Sequence, residues 1–128
     1  MRHEAERVLS VELVPLRGVR FPSFEPGAHI DLHLDNGMVR SYSLLNSPSG
    51  SRDEKHHYTI AVLDEPQGRG GSRYVHTSLR CGMEVRISNP RNHFALDGSA
   101  RHSVLIAGGI GITPILSMYR HLRSLGAA

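Results

Sequence analysis

Tyr58-Thr59-Ile60-Ala61-Val62-Leu63 leads, after a short polar link, into Gly68-Arg69-Gly70-Gly71-Ser72. The first run reads as a strand, the second as a glycine-rich loop, and Arg73 to Leu79 as a short helix behind it. Glycines let the backbone take positive φ and approach a ligand closely, so consecutive N–H groups can line a concavity that suits an anion. Ser72 stands where a helix N-cap would stand, and Arg69 can offer a planar, permanently charged donor to phosphate oxygens. The same five residues also read as a flexible surface turn, since they are neither a P-loop nor a Rossmann fingerprint. Other stretches have to decide between the two.

Upstream, the alternation Leu9, Val11, Leu13 against Val8, Ser10, Glu12 predicts a half-buried strand over Val8 to Val14, ended by Pro15. His29 to Leu34 alternates again, with Ile30, Leu32 and Leu34 on one face. Asp35-Asn36-Gly37 predicts a hairpin, because Asn-Gly supplies the positive φ values of a tight turn. Met38 to Leu45 then returns antiparallel, with Arg40, Tyr42 and Leu44 on one face and Ser41, Ser43 and Leu45 on the other. An arginine and a tyrosine two apart can hold a flat ligand that carries a phosphate, or stand as a solvated pair on an outer face. Asn46 to His56 reads as loop. Downstream, Val75 and Leu79 would pack an apolar edge, Cys81-Gly82 would end the helix, and Met83 to Ser88 alternates as a further strand closed by Asn89-Pro90. Many short strands at this spacing indicate a small antiparallel barrel or sandwich.

At Ser103 the pattern changes. Val104-Leu105-Ile106-Ala107 is a continuous apolar run of the kind buried on both faces in a parallel sheet. Gly108-Gly109-Ile110-Gly111-Ile112-Thr113-Pro114 follows, with Thr113 as expected N-cap, Pro114 as first helical residue, and Ile115, Met118, Tyr119 and Leu122 on one helical face. This looks like the opening of an α/β nucleotide-binding unit, although Pro114 stands where a Rossmann pattern has its third glycine.

Composition narrows the function classes. With 128 residues the chain suits one ordinary domain. Its 15 basic against 12 acidic residues are scattered, and 3 Phe, 4 Tyr and no Trp offer few stacking platforms, which argues against nucleic acid. One cysteine, Cys81, excludes an internal disulfide and an all-cysteine iron–sulfur cluster, and is expected simply to pack. The 9 histidines lack metal-ligand spacing, so no metal is expected. No apolar run approaches the ~18 residues of a membrane span, and no signal-peptide core is present, so a soluble, cytoplasmic chain is expected.

Taken together, Arg40-Ser41-Tyr42-Ser43, Gly68-Arg69-Gly70-Gly71-Ser72 and Ala107-Gly108-Gly109-Ile110-Gly111-Ile112-Thr113-Pro114, in this order and spacing, resemble the ferredoxin-reductase superfamily. The likeness is to its FMN-dependent phthalate dioxygenase reductase and vanillate demethylase reductase branch, over nearly the whole chain. The resemblance implies a mainly β fold: a Greek-key barrel binding flavin over 1–100, then over 101–128 the first strand and helix of an α/β NADH domain. It implies FMN rather than FAD. Arg40 would pair with the FMN phosphate or ribityl region, Tyr42 would line the isoalloxazine, Ser41 would belong to the same cofactor-binding stretch, and Ser43 would place a hydroxyl near the redox-active edge. Ile60, Ala61 and Val62 would give backbone contacts along the flavin, and Arg69, Gly70, Gly71 and Ser72 would hold the phosphate. Thr113 would approach the flavin from the second domain, while Gly109, Gly111 and Ile112 would belong to the nicotinamide path. The implied chemistry is hydride transfer from NADH to flavin, then single electrons to an iron–sulfur centre and on to an oxygenase or ferredoxin component.

The resemblance also implies a chain cut at both ends, since the family has a further barrel strand before the segment matching Arg2 to Val14. An open edge along Val8 to Leu13 and a lone helix after Pro114 would then favour a homodimer or poor stability. The other class of function that stays open is a non-catalytic barrel remnant serving as a binding or dimerisation module.

Overall fold

The computed structural model describes residues 1–48 and 57–126. Its six strands are β1 (Arg2–Ala5), β2 (Val8–Leu13), β3 (His29–His33), β4 (Val39–Ser43), β5 (Tyr58–Leu63) and β6 (Arg86–Ile87). They form two three-stranded antiparallel sheets, ordered β1-β2-β5 and β4-β3-β6. Two helices, α1 (Gly71–Thr77) and α2 (Ile112–Ser124), complete the fold.

Alternation does the sorting. Leu9, Val11 and Leu13 of β2, Ile30 and Leu32 of β3, and Tyr58, Ile60 and Val62 of β5 all point into one core, joined by Leu44, by Val75 of α1 and by Leu79 just beyond that helix. Each fully buried aliphatic side chain of this kind contributes about 1.5–3 kcal/mol relative to exposure. The sheets meet at one corner, where Leu45 N–H donates to Thr59 O (2.8 Å) and the Asn46 side chain bonds both Thr59 N and His57 O (3.0 Å each). The Tyr58 ring stacks on Phe21 at 4.4 Å and meets Phe24 edge-on, so the Phe21 to Gly27 loop packs against β5.

Several sequence expectations are corrected. A strand over Arg2–Ala5 pairs with β2, so Val8 to Leu13 is a central strand flanked by β1 and β5 rather than an open edge. The edge is β1, exposed throughout, and its Arg2, His3 and Glu4 side chains make it a poor template for further pairing. The Asp35-Asn36-Gly37 hairpin forms, but only Gly37 has positive φ (83°), so it is a three-residue loop with one left-handed position. The strand expected over Met83 to Ser88 shrinks to Arg86–Ile87, the part that finds β3 as neighbour. Helix α1 ends at Thr77, before Cys81-Gly82, and Cys81 is exposed rather than packed. Val104 to Ala107 is not a strand: Val104 is 84% and Ile106 81% exposed, because no described strand lies beside the run to take its hydrogen bonds. The loop expected over Asn46 to His56 lies, from residue 49 to 56, outside the described residues. Among the described residues no helix is long and apolar enough to cross a membrane.

Helix α2 finds its own cover on the barrel. Ser117 is fully buried and its Oγ donates to Asn46 O (2.8 Å), Arg120 reaches Leu45 O (3.1 Å), and Met118 is buried beside Gly27. The face expected to seek a second chain is thus partly used, though Tyr119 stays exposed at 44%.

Candidate functional site

The chain just after β4 touches β5 at the Leu45–Thr59 bond, and no ladder joins β4 to β5 among the described residues. What lies at the far end of that gap is the glycine-rich loop, bridged by Arg40. The Arg40 Nη2 donates to Arg69 O (3.2 Å) and Nη1 to Val39 O (2.7 Å). Its stem crosses Gly71 so closely that a Cβ there would stand 2.4 Å from Nε and 2.6 Å from Cγ. Arg40 faces Leu32 and Tyr42 faces Ile30 across the β3–β4 ladder, so both rise from the core side of the sheet. Tyr42 is half-buried against the core cluster, and that burial raises its phenol above the ordinary tyrosine range, offset in part by the nearby Arg40 charge.

The register decides what the backbone of β5 can offer. In an antiparallel strand the N–H and C=O of successive residues point to alternate edges. Because Thr59 O turns to Leu45, Ala61 also turns its N–H and C=O away from β2 and toward the gap, whereas Ile60 and Val62 turn theirs to β2. Val62 O also takes a bond from His76 Nε2 (2.8 Å), which fixes the proton on that nitrogen, since a carbonyl can only accept. Of the three residues expected to contact a flavin through backbone, only Ala61 presents its groups to the gap.

Ser72 does not cap α1. Gly70, at φ 86°, is the N-cap, and no side chain caps the helix. Ser72 Oγ instead accepts the Glu65 N–H (3.0 Å), stapling the loop shut across its base. Arg69 is exposed with its carbonyl turned to Arg40. Ser41 and Ser43 sit on the opposite face of β4 from Arg40 and Tyr42. They line a shallow hollow of about 300 Å³ with Gly27, His29, His93 and Phe94. There Ser41 Oγ donates to Asp31 Oδ1 (2.6 Å), and this bond together with Arg91 on Oδ2 holds the Asp31 carboxyl below its usual range.

Thr113 is buried where the 3₁₀ turn Gly109–Gly111 lies against β5. It is the second residue of α2 rather than its cap: Gly111 precedes the helix, and Thr113 Oγ1 donates back to Ile110 O (3.1 Å). Gly109 and Gly111 face open space, and Ile112 is half exposed. The structure therefore seats Arg40 on the Arg69–Gly71 stretch, puts Tyr42 on the same face of β4 and Ala61 on β5, buries Thr113 at the start of α2, and leaves Ser41 and Ser43 on the other face of β4. Two residues that sequence reading passed over, Arg7 and Asp64, hold the base of the loop. Nothing local marked either one, because their contact spans 57 positions.

The space over Gly71 is taken by the Arg40 stem, Arg69 is exposed beside it, and the half-buried Tyr42 stands two residues along the same face of β4.

No family model matches the chain. It is 49% identical over 122 residues to a vanillate O-demethylase oxidoreductase of Pseudomonas sp. (strain HR199 / DSM 7063), covering 95% of this chain and 37% of that protein. Among solved structures it superposes on phthalate dioxygenase reductase, described as a modular structure for electron transfer from pyridine nucleotides to [2Fe-2S], with TM-score 0.88 and 43% identity over 95% of this chain and 37% of the other. The flavohem-like FAD/NAD binding domain of nitric oxide dioxygenase from Vibrio cholerae O1 biovar El Tor gives TM-score 0.82 and 25% identity over 95% of this chain and 53% of the other. The chain spans about 37% of the length of the curated relative. Its fold is that of the flavin-binding domains of ferredoxin-reductase type, and its relatives are oxidoreductases that include reductase components of oxygenase systems.

Proposed function

We propose that this chain is the flavin-binding segment of an NADH-dependent reductase that serves an oxygenase system, and that its flavin is FMN. The observation that carries the reading is the seat of Arg40 on Gly71, which makes one anion-accepting corner out of two motifs about thirty positions apart. Arg40 and Arg69 supply charge for a terminal phosphate, Gly71 gives the Arg40 stem room to lie across the loop, and Tyr42 borders the ring. Ala61 offers an N–H and a C=O to the ring's polar edge, and Thr113 closes the gap from α2. A bound flavin supplies hydride acceptance and single-electron release, so the protein's part is position, charge and exclusion of water. NADH would come over the open Gly109, Gly111 and Ile112 surface, on the unit that begins at residue 101.

Titration of the flavin-stripped protein with FMN and with FAD, followed by flavin fluorescence, tests this reading with Arg69→Ala alongside. Saturable FMN binding that the variant weakens upholds it. Absence of binding, or binding indifferent to Arg69, overturns it.

A further inference from the structure

Among the described residues Arg7 is the only non-glycine with positive φ, at 61°. It lies in the tight turn between β1 and β2, where Ala5 pairs with Val8. Glycine or asparagine adopts that conformation at less cost, so an arginine there calls for an explanation in what it holds.

What it holds is Asp64. Arg7 O accepts the Asp64 N–H (2.8 Å), and Arg7 Nη2 and Nε both donate to Asp64 O at 2.6 and 3.1 Å. In a regular antiparallel pair the facing backbone N–H makes that return bond. Here a guanidinium makes it, with the added strength of a charged donor. The Asp64 carboxylate, buried, pairs through Oδ2 with Arg73 Nη1 (2.6 Å) from the first turn of α1, while its Oδ1 has no hydrogen-bond partner among the described residues. The next residue, Glu65, gives its N–H to Ser72 Oγ (3.0 Å) and takes the Gly68 N–H on its carbonyl (2.9 Å). Asp64 and Glu65 thus tie both ends of the glycine-rich loop to a point that Arg7 anchors from another hairpin.

We propose that Arg7 is a positioning residue for the phosphate-binding loop: by clamping Asp64 it fixes the entry to Gly68–Ser72 and sets the loop's affinity for a phosphate group. The inference rests on the FMN reading above and deepens it. Arg7 touches no ligand. It acts through Asp64, Glu65 and Ser72, so its removal is felt at the phosphate and not at the ring.

The test is Arg7→Gly, which suits the left-handed backbone and removes the whole side chain, its guanidinium included. FMN and riboflavin, which lacks the phosphate, are titrated against the parent chain and the variant, and amide hydrogen exchange is followed in both without flavin. The expected result is an FMN Kd raised about tenfold, a riboflavin Kd unchanged within about twofold, and faster exchange over Gly68 to Ser72 with Ile60 to Val62 unaltered. Equal weakening of both flavins, or an unchanged FMN Kd, overturns the proposal. If the parent chain binds neither flavin, the FMN reading fails by itself and exchange alone decides. Faster loop exchange then upholds the clamp, and unchanged exchange removes it.

Discussion

The guanidinium stem of Arg40 and the α-carbon of Gly71 are in contact so close that a methyl group on Gly71 would stand 2.4 Å from Arg40 Nε. Gly71 is the first residue of α1 and has an ordinary φ, so alanine suits the backbone and gains up to about 1 kcal/mol of helix propensity. Gly71→Ala is therefore expected to keep or raise the melting temperature while pushing Arg40 off the loop and weakening FMN about tenfold or more, ~1.4 kcal/mol per decade. A variant that loses stability and leaves FMN binding intact would refute the assigned seat.

Gly27 presents the opposite case. It has φ 95°, and a Cβ there would fall 1.9 Å from Phe94 O, a backbone atom that cannot swing aside. Gly27→Ala is expected to cost more than about 3 kcal/mol in urea denaturation, by strain and by parting β3 from the His93–Phe94 segment. Gly98→Ala, which meets nothing within 4 Å and has no positive φ, serves as the control and should stay within about 0.5 kcal/mol.

Ser117 fastens α2 to the barrel from a fully buried position. Replacing it with alanine should cost about 1–2 kcal/mol, since the bond is lost where water cannot replace it. Amide exchange should rise along α2 more than along β2 or β5. Uniform exchange across the chain would mean that the helix does not dock through this bond.

Burial pushes the Tyr58 phenol from 10.0 up to about 12, and its hydroxyl donates to Pro22 O. The folded form therefore holds the proton more tightly than the unfolded form does. The stability that follows is present in full below pH 10 and is lost as the pH rises from 10 toward about 12. The denaturation midpoint should fall across that window, and Tyr58→Phe should flatten the slope while lowering stability at neutral pH. Tyr42, also raised by burial, contributes in the same direction.

Much of the barrel was legible because its signals are local. The alternation in Val8 to Leu13, His29 to His33 and Tyr58 to Leu63 marks which side chains share a face, and all three strands form with those faces inward. The glycine-rich loop and the Arg40–Tyr42 pair were legible for the same reason. Val104 to Ala107 misled, since an apolar run is a strand only when neighbours take its hydrogen bonds. Ser72 and Thr113 misled as helix caps, because a glycine at φ 86° and a 3₁₀ turn start both helices two residues earlier.

What the sequence alone determined is therefore the short-range part: which residues alternate, where turns fall, and where a glycine-rich loop separates strand from helix. These follow from steric limits and periodicity within a few residues. Only the tertiary structure decided that β2 is central, that Ala61 rather than Ile60 or Val62 opens its backbone to the gap, that Ser41 and Ser43 face away from it, and that Arg7 holds Asp64. The reason is that register and packing join residues tens of positions apart, and such contacts are selected by the energy of the whole core, which no single stretch of the chain encodes.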